Sequence, residues 1–384
     1  MPRWSRRILF GDIDAMYASS AIAANPALAG QLVAVGSPPP RGIITAATYR
    51  VREYGIKAAM PTAHALRLCP GLVLVPPDRA LYQRMHARLC EVTDRLFPET
   101  EWTSIDEFYA DTTKLQMRDP DPHVLGRTVK DAIFWATGLR CTIAFATGKT
   151  IAKVAADSHK PDGLAIIEPG TEAAFLATRP ARSLPGIGPK TAMALESRGI
   201  RTIADLLDPV FEPTLRRMWG PRLAVLQELA QGIDRDPVVA GREPKSLSHE
   251  TTFDKDTTDP MFLEQTLRGF LSALTHELRL QGLAAGAFSV KLKDATFAIT
   301  ARQRRFPEPL NYDPPMWKSI QPVLCGLIAH RTRYRLVGLS LTDLVPTTDS
   351  LFEQRTTKAI AAMDAVIAKH GSNIIRLGGI PESQ

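Results

Sequence analysis

The stretch Ser104-Ile105-Asp106-Glu107-Phe108-Tyr109-Ala110-Asp111 sets two acids side by side among apolar and aromatic neighbours. Neighbours of that kind favour strands, so the acids are expected on a β-hairpin or at its turn. A second pair, Asp12 and Asp14, follows the run Ile8-Leu9-Phe10, which predicts a short buried strand ending in carboxylates. A lone Asp-Glu pair is most often a solvated turn or half of a salt bridge. Acids gathered at strand ends, with no His or Cys beside them, suit instead a hard, oxygen-seeking cation such as Mg²⁺.

Three further groups suit phosphate. Tyr49 and Arg52 stand three apart in 46–55, a predicted short helix closed by Gly55, and share a face. A phenol and a guanidinium so placed can grip a phosphate, although an exposed helix surface would have the same pattern. Gly148-Lys149-Thr150 follows a predicted strand at 141–145, but position 143 is Ile where a nucleotide-binding P-loop requires glycine, which excludes an ATPase of that kind. Lys149, Lys153 and Lys160 remain as a basic cluster fit for phosphates. Leu184-Pro185-Gly186-Ile187-Gly188-Pro189-Lys190 reads as a helix-hairpin-helix. Its glycines let backbone N–H groups approach a nucleic-acid backbone without reading bases.

The elements that must position these groups follow from length and patterning. A chain of 384 residues is too long for one small core and implies roughly two to four domains. With 45% hydrophobic and 23% charged residues it is ordinary for a globular protein, and no run approaches the ~18 apolar residues that span a bilayer. The N-terminus is basic, but its apolar run is short and leads into Asp12, unlike a signal peptide. Cys69, Cys90, Cys141 and Cys325 lack metal-ligand spacing, so reduced thiols and a cytoplasmic location are expected. A net charge of +7 favours a polyanionic partner. Strands and helices alternate from Ile8 to Ile167 with acids at strand ends, an α/β or α+β catalytic layer that includes a helix from Leu81 to Leu96.

Residues 234–244 are polar with two prolines and read as a linker. A β-rich segment follows, with a helix from about Pro260 to Gln281. Phe288–Lys293 and Phe297–Arg304 predict a hairpin with basic residues at alternate positions: Lys291 and Lys293, then Arg302 and Arg304. Arg331, Arg333 and Arg335 repeat the spacing. Such a stripe can track a phosphate backbone, or it can be a solvated outer face. A last helix carries Ile360, Met363, Val366 and Ile367 on one side.

With these residues laid out, the chain resembles the Y-family translesion DNA polymerases, most closely the bacterial DNA polymerase IV group, from Ile8 to about Gly371. The resemblance rests on Asp12-Ile13-Asp14-Ala15-Met16-Tyr17, Ala47-Thr48-Tyr49 through Arg52, Ser104-Ile105-Asp106-Glu107, Ala152-Lys153 with Lys160-Pro161-Asp162-Gly163, Leu184–Gly188 and Arg335-Leu336-Val337-Gly338-Leu339, in the family's order.

It implies an α+β multidomain right hand: a ferredoxin-like palm (1–19 and 78–168), small fingers (20–77), a helix-hairpin-helix thumb (169–233), a linker (234–244), a β-rich little finger (245–345) and a tail (346–384). It implies error-prone, distributive, template-directed DNA synthesis without proofreading, acting as a monomer on primer-template DNA with dNTPs. Asp12, Asp106, Glu107 and the Ile13 carbonyl would hold two Mg²⁺, with Mn²⁺ as a substitute. Tyr49, Arg52 and Lys160 would bind the triphosphate, and Tyr17 would be the steric gate against ribonucleotides. Gly186, Gly188, Lys190 and the basic stripe would contact DNA. Asp14 lies outside the metal set.

Gly148 stands where the family usually carries Asn, and Ala46 where a hydroxyl residue is common, departures expected to weaken nucleotide binding. Leu351 and Phe352 resemble the anchor of a sliding-clamp peptide, but Thr348 replaces its usual Gln. The rival readings are an inactive polymerase-like DNA-binding scaffold and a palm-type nucleotide cyclase. Retention of the acids opposes the first, and the helix-hairpin-helix with its basic β-rich segment opposes the second.

Overall fold

A computed structural model describes residues 4–118, 121–241 and 243–347. The chain divides into two compact units between Arg242 and Glu243.

The first unit is built on β1 (Ile8–Ile13), whose six residues are all buried. That explains why it reads as a continuous apolar run rather than an alternating one. After β1 come α1 (Met16–Ala24), β2 (Val33–Gly36), β3 (Ile44–Ala47), α2 (Tyr49–Arg52), α3 (Thr62–Leu68) and β4 (Val73–Val75). Then follow α4 (Arg79–Leu96), β5 (Thr100–Trp102), β6 (Glu107–Asp111), α5 (Pro122–Thr137), β7 (Cys141–Ala146), α6 (Lys149–His159) and β8 (Leu164–Ile166). The main sheet has the order β5-β6-β1-β7-β8, with β1 central and antiparallel to both neighbours.

One face of this sheet packs Leu9, Ile13 and Phe108 against residues of α1, α4 and α5. Helix α4 starts at Asp78, which accepts the Leu81 N–H, and buries Leu81, Met85, Leu89 and Val92 at helical spacing. The other face packs Ile8, Phe10 and Tyr109 against α6. That core continues into α7 (Glu172–Ala177), α8 (Pro189–Glu196), α9 (Glu212–Trp219) and α10 (Leu223–Ala230) through Leu184, Ile187, Leu195, Ile203 and Leu215.

Two local expectations are corrected. Ala46 and Ala47 lie in β3, paired with Val35 and Ala34, so the helix expected over 46–55 is only the turn Tyr49–Arg52. Sheet pairing has overridden alanine's helix propensity. The start of the expected linker is also not free: Asp234, Asp236, Pro237 and Val239 are hydrogen-bonded to Arg6, Lys149, Thr150 and Glu101, and Val238 is buried.

The second unit contains β9 (Ser246–Thr257), α11 (Pro260–Leu280), β10 (Leu283–Asp294), β11 (Ile299–Leu310), α12 (Asp313–Leu327) and β12 (Tyr334–Pro346). Its antiparallel sheet runs β11-β10-β12-β9, with Phe288, Val290, Leu292, Val337 and Leu339 packed on leucines of α11 and on α12.

Here the expected basic stripe divides. Arg302 and Arg304 oppose Val290 and Phe288, whereas Lys291 and Lys293 oppose Ala301 and Ile299. Residues directly opposed on paired strands share a face, so the arginines and the lysines occupy opposite faces. Leu351, Phe352 and the last predicted helix lie outside the described residues. Among the described residues, no helix is long and apolar enough to cross a membrane.

Gly11 leaves room for the ring of the acidic hairpin: a Cβ there would come 2.3 Å from the Phe108 ring. Gly11→Ala should therefore lower unfolding stability by about 1–3 kcal/mol, read by denaturant unfolding. Wild-type stability would mean that Phe108 does not depend on this gap.

Candidate active site

The three expected acids meet at one end of the main sheet. Asp12 is paired with Glu107 across β1 and β6, and the Ile13 N–H donates to the Asp106 carbonyl at 3.0 Å. The turn is pinned from within: the Ser104 hydroxyl donates to Asp106 Oδ1 at 2.6 Å and accepts the Glu107 N–H at 3.0 Å. Sequence reasoning assigns Ser104 no role; a serine three residues before Glu107 is the signal, since its hydroxyl can accept a backbone N–H of the turn.

Helix α6 faces these acids with a row of lysines. Lys153 is ion-paired with Glu107, and Lys160, at the helix C-terminus, with Asp12 and, at 3.0 Å, with Asp157. A separation of seven residues is two helical turns, so the shared face was present in the sequence. Lys149 does not join them. It is buried between Glu101 at 2.6 Å and Asp236 at 3.0 Å, a structural pair.

Burial pushes the Asp12 carboxyl up to about 7, with Lys160 pulling against it and Asp106 and Glu107 adding to it. Burial alone would lower Lys160, but Asp12 and Asp157 outweigh it and its proton is held more firmly than usual. The two shifts differ in cause: burial disfavours the charged form of Asp12, whereas the neighbouring carboxylates favour the charged form of Lys160.

Among the described residues, no three His, Cys, Asp or Glu side chains close into a preformed metal cage. The donor set is nonetheless all oxygen, and Asp106 pairs with no Lys or Arg among the described residues. A partly buried cluster with surplus negative charge and oxygen donors fits a hard divalent cation.

Asp14 does different work. Its Oδ1 accepts the Tyr49 hydroxyl at 3.2 Å and the Thr142 hydroxyl at 3.1 Å, and its Oδ2 accepts the Asp162 N–H at 2.7 Å. It therefore ties α2 and the segment after α6 to the end of β1. On α2, Arg52 lies over the Tyr49 ring with 4.3 Å to the centroid and donates to the Ala47 carbonyl at 3.0 Å, so the two expected phosphate ligands do share a face. Tyr17 is half-buried near the start of α1, its ring 4.3 Å from that of Tyr82.

In the helical region, Gly186 has φ +95° and Gly188 precedes the first residue of α8, with Ile187 buried between them. Both glycines and Lys190 are exposed. In the second unit, Lys293 and Arg335 converge over the Phe297 ring, whereas Arg331 and Arg333 lie in the loop before β12.

Residues 11–157 match the impB/mucB/samB family, 244–355 its C-terminal domain, and 179–210 a SAM-like helix-hairpin-helix tandem. The chain is 35% identical over 352 residues to a DNA polymerase IV of Methanoculleus marisnigri, covering 90% of this chain and 96% of that protein. It is 34% identical to the DNA polymerase IV of Halorhodospira halophila, covering 89% and 96%. Among solved structures, a Y-family DNA polymerase chimera of Dbh and Dpo4 superposes with a TM-score of 0.80 at 24% identity, covering 89% of this chain and all of that one.

Asp14→Ala would leave two hydroxyls and a backbone N–H without their acceptor. It should cost about 2–3 kcal/mol in denaturant unfolding. An unchanged midpoint would remove Asp14 as the tie between these segments.

Proposed function

The chain belongs to the impB/mucB/samB family, the Y-family DNA polymerases, and from that membership we propose that it extends a primer 3′-end across damaged templates by divalent-metal phosphoryl transfer. The observation that carries this reading is the convergence of Asp12, Asp106 and Glu107 at one sheet end, opposite Lys153 and Lys160.

Asp12, Asp106, Glu107 and the Ile13 carbonyl would hold two Mg²⁺ or Mn²⁺ ions. Bound there, such ions supply Lewis-acid activation of the attacking hydroxyl and neutralise the leaving pyrophosphate. The chain's own part is positioning and charge. Lys160, once free of Asp12, would face phosphate together with Tyr49 and Arg52, whose shared face would receive a triphosphate. The Tyr17 ring, braced by Tyr82, is suited to exclude a ribose 2′-hydroxyl.

We assign 1–19 and 78–168 as palm, 20–77 as fingers, 169–233 as thumb and 245–345 as little finger. The exposed Gly186 and Gly188 backbone with Lys190, and the Lys291, Lys293 and Arg335 face, would follow the DNA backbone. Arg302 and Arg304 belong to a separate face. Engagement of a sliding clamp through Leu351 and Phe352, error-prone synthesis and a monomeric state complete the reading.

Primer extension with dNTPs and Mg²⁺ tests it. Asp106→Ala with Glu107→Ala should reduce extension by about 10³-fold or more while DNA binding persists. Equal extension by both proteins would refute the site. Tyr17→Ala should raise ribonucleotide incorporation more than it lowers total synthesis, and unchanged sugar selectivity would remove the gate.

A further inference from the structure

Helix α6 carries Lys153 and ends at Lys160, its C-cap, yet its N-cap position is Gly148, which has no side chain to satisfy the helix's first N–H groups. The acceptor comes from elsewhere. The Thr150 N–H donates to Asp234 Oδ2 at 2.7 Å, across 84 positions of sequence. A carboxylate on the second N–H of a helix is what an N-cap Asp supplies locally, and its charge complements the helix dipole.

Asp234 is itself held. Its Oδ1 accepts the Asp236 N–H at 3.0 Å, and its carbonyl accepts Arg6 Nη1 at 2.5 Å. The residues after it dock on the same surface: Lys149 donates to the Pro237 carbonyl at 2.9 Å, and the Val239 N–H donates to Glu101 Oε2 at 2.9 Å.

Gly148 and Asp234 also exclude alternatives to each other. A Cβ at position 148 would lie 2.7 Å from Asp234 Cβ and 3.3 Å from its Cγ. Any residue with a capping side chain at 148 therefore displaces the borrowed cap. We infer that Asp234 is a positioning residue, capping α6 in trans through the gap that Gly148 leaves, and so fixing Lys153 and Lys160 against the acids. Gly148, expected from sequence to weaken nucleotide binding, is here one half of a matched pair. The kinetic consequence rests on the proposed polymerase function; the structural one does not.

The test is a mutant cycle read in two ways. Single-nucleotide insertion on primed DNA gives KM for dNTP and kcat, and amide hydrogen exchange of the first turn of α6 needs no substrate. Asp234→Gly should raise KM about fivefold, with a smaller fall in kcat, and lose protection at Thr150. Gly148→Asn alone should do the same, although it introduces a favoured N-cap residue, because its Cβ evicts Asp234. The double variant Gly148→Asn/Asp234→Gly should recover KM to within about twofold and restore protection, since the new side chain then caps unopposed. Asp234→Asn, which keeps an acceptor, should stay near wild type.

Losses that accumulate in the double variant, or an unchanged KM and exchange in Asp234→Gly, would overturn the inference. Wild-type protein that shows the exchange pattern but incorporates no nucleotide would leave the trans-cap standing and remove the polymerase reading instead.

Discussion

The row of lysines that α6 lays against the acids of the main sheet is the interaction on which the rest of the first unit depends. Lys149 meets Glu101, Lys153 meets Glu107 and Lys160 meets Asp12. The pairs differ in how far they are removed from water. Side-chain exposures are 7% and 1% for Lys149 and Glu101, 26% and 25% for Lys153 and Glu107, and 21% and 7% for Lys160 and Asp12. Removing one partner of a fully buried pair costs about 3–5 kcal/mol, because the remaining charge is stranded, so the first pair behaves as a fixed anchor. Lys153, Glu107 and Lys160 keep some access to solvent while Asp12 is buried, so the two lysines are the members of these pairs best able to turn away.

This gradient accounts for a site whose carboxylates are neutralised without being occupied permanently. Burial pushes Asp12 up to about 7 even with Lys160 beside it, so its charged form is under-compensated by that one ammonium group. A hard divalent ion supplies more charge than an ammonium group and can coordinate several oxygens at once. In the proposed reaction Lys153 and Lys160, freed from the acids, would face the phosphates, so one helix would neutralise first the acids and then the substrate. Asp14, tied to Tyr49, Thr142 and the Asp162 backbone, holds α2 in register with the segment that follows that helix.

Much of this was legible in the sequence where the local pattern and the tertiary role agree. The buried run before Asp12, the acidic hairpin, the apolar spacing of α4 and the two glycines of the helical turn all declared themselves. The failures have a common cause: contacts between residues far apart in the chain. Ala46 and Ala47 read as helix because their pairing with β2 is invisible locally. Lys149 read as a phosphate ligand because Glu101 and Asp236, its partners, lie on other segments. The 234–239 stretch read as a linker on composition alone, although each docked polar group there meets a side chain or backbone from far away. The basic residues of β10 and β11 read as one stripe because the register that puts them on opposite faces is set by strand pairing.

We propose that, when DNA and nucleotide are bound, Asp12 and Glu107 exchange their lysine partners for divalent cations that Asp106 helps to hold. The most direct measurement is a Mn²⁺ titration followed by electron paramagnetic resonance, on protein with a primer-template lacking the 3′-hydroxyl and the matching dNTP. About two protein-dependent Mn²⁺ ions should bind per wild-type chain in this complex, beyond those held by free dNTP and DNA, and Asp12→Ala should lose them while still binding DNA. Equal Mn²⁺ binding by wild type and Asp12→Ala would contradict the account and leave the lysine pairs as purely structural contacts.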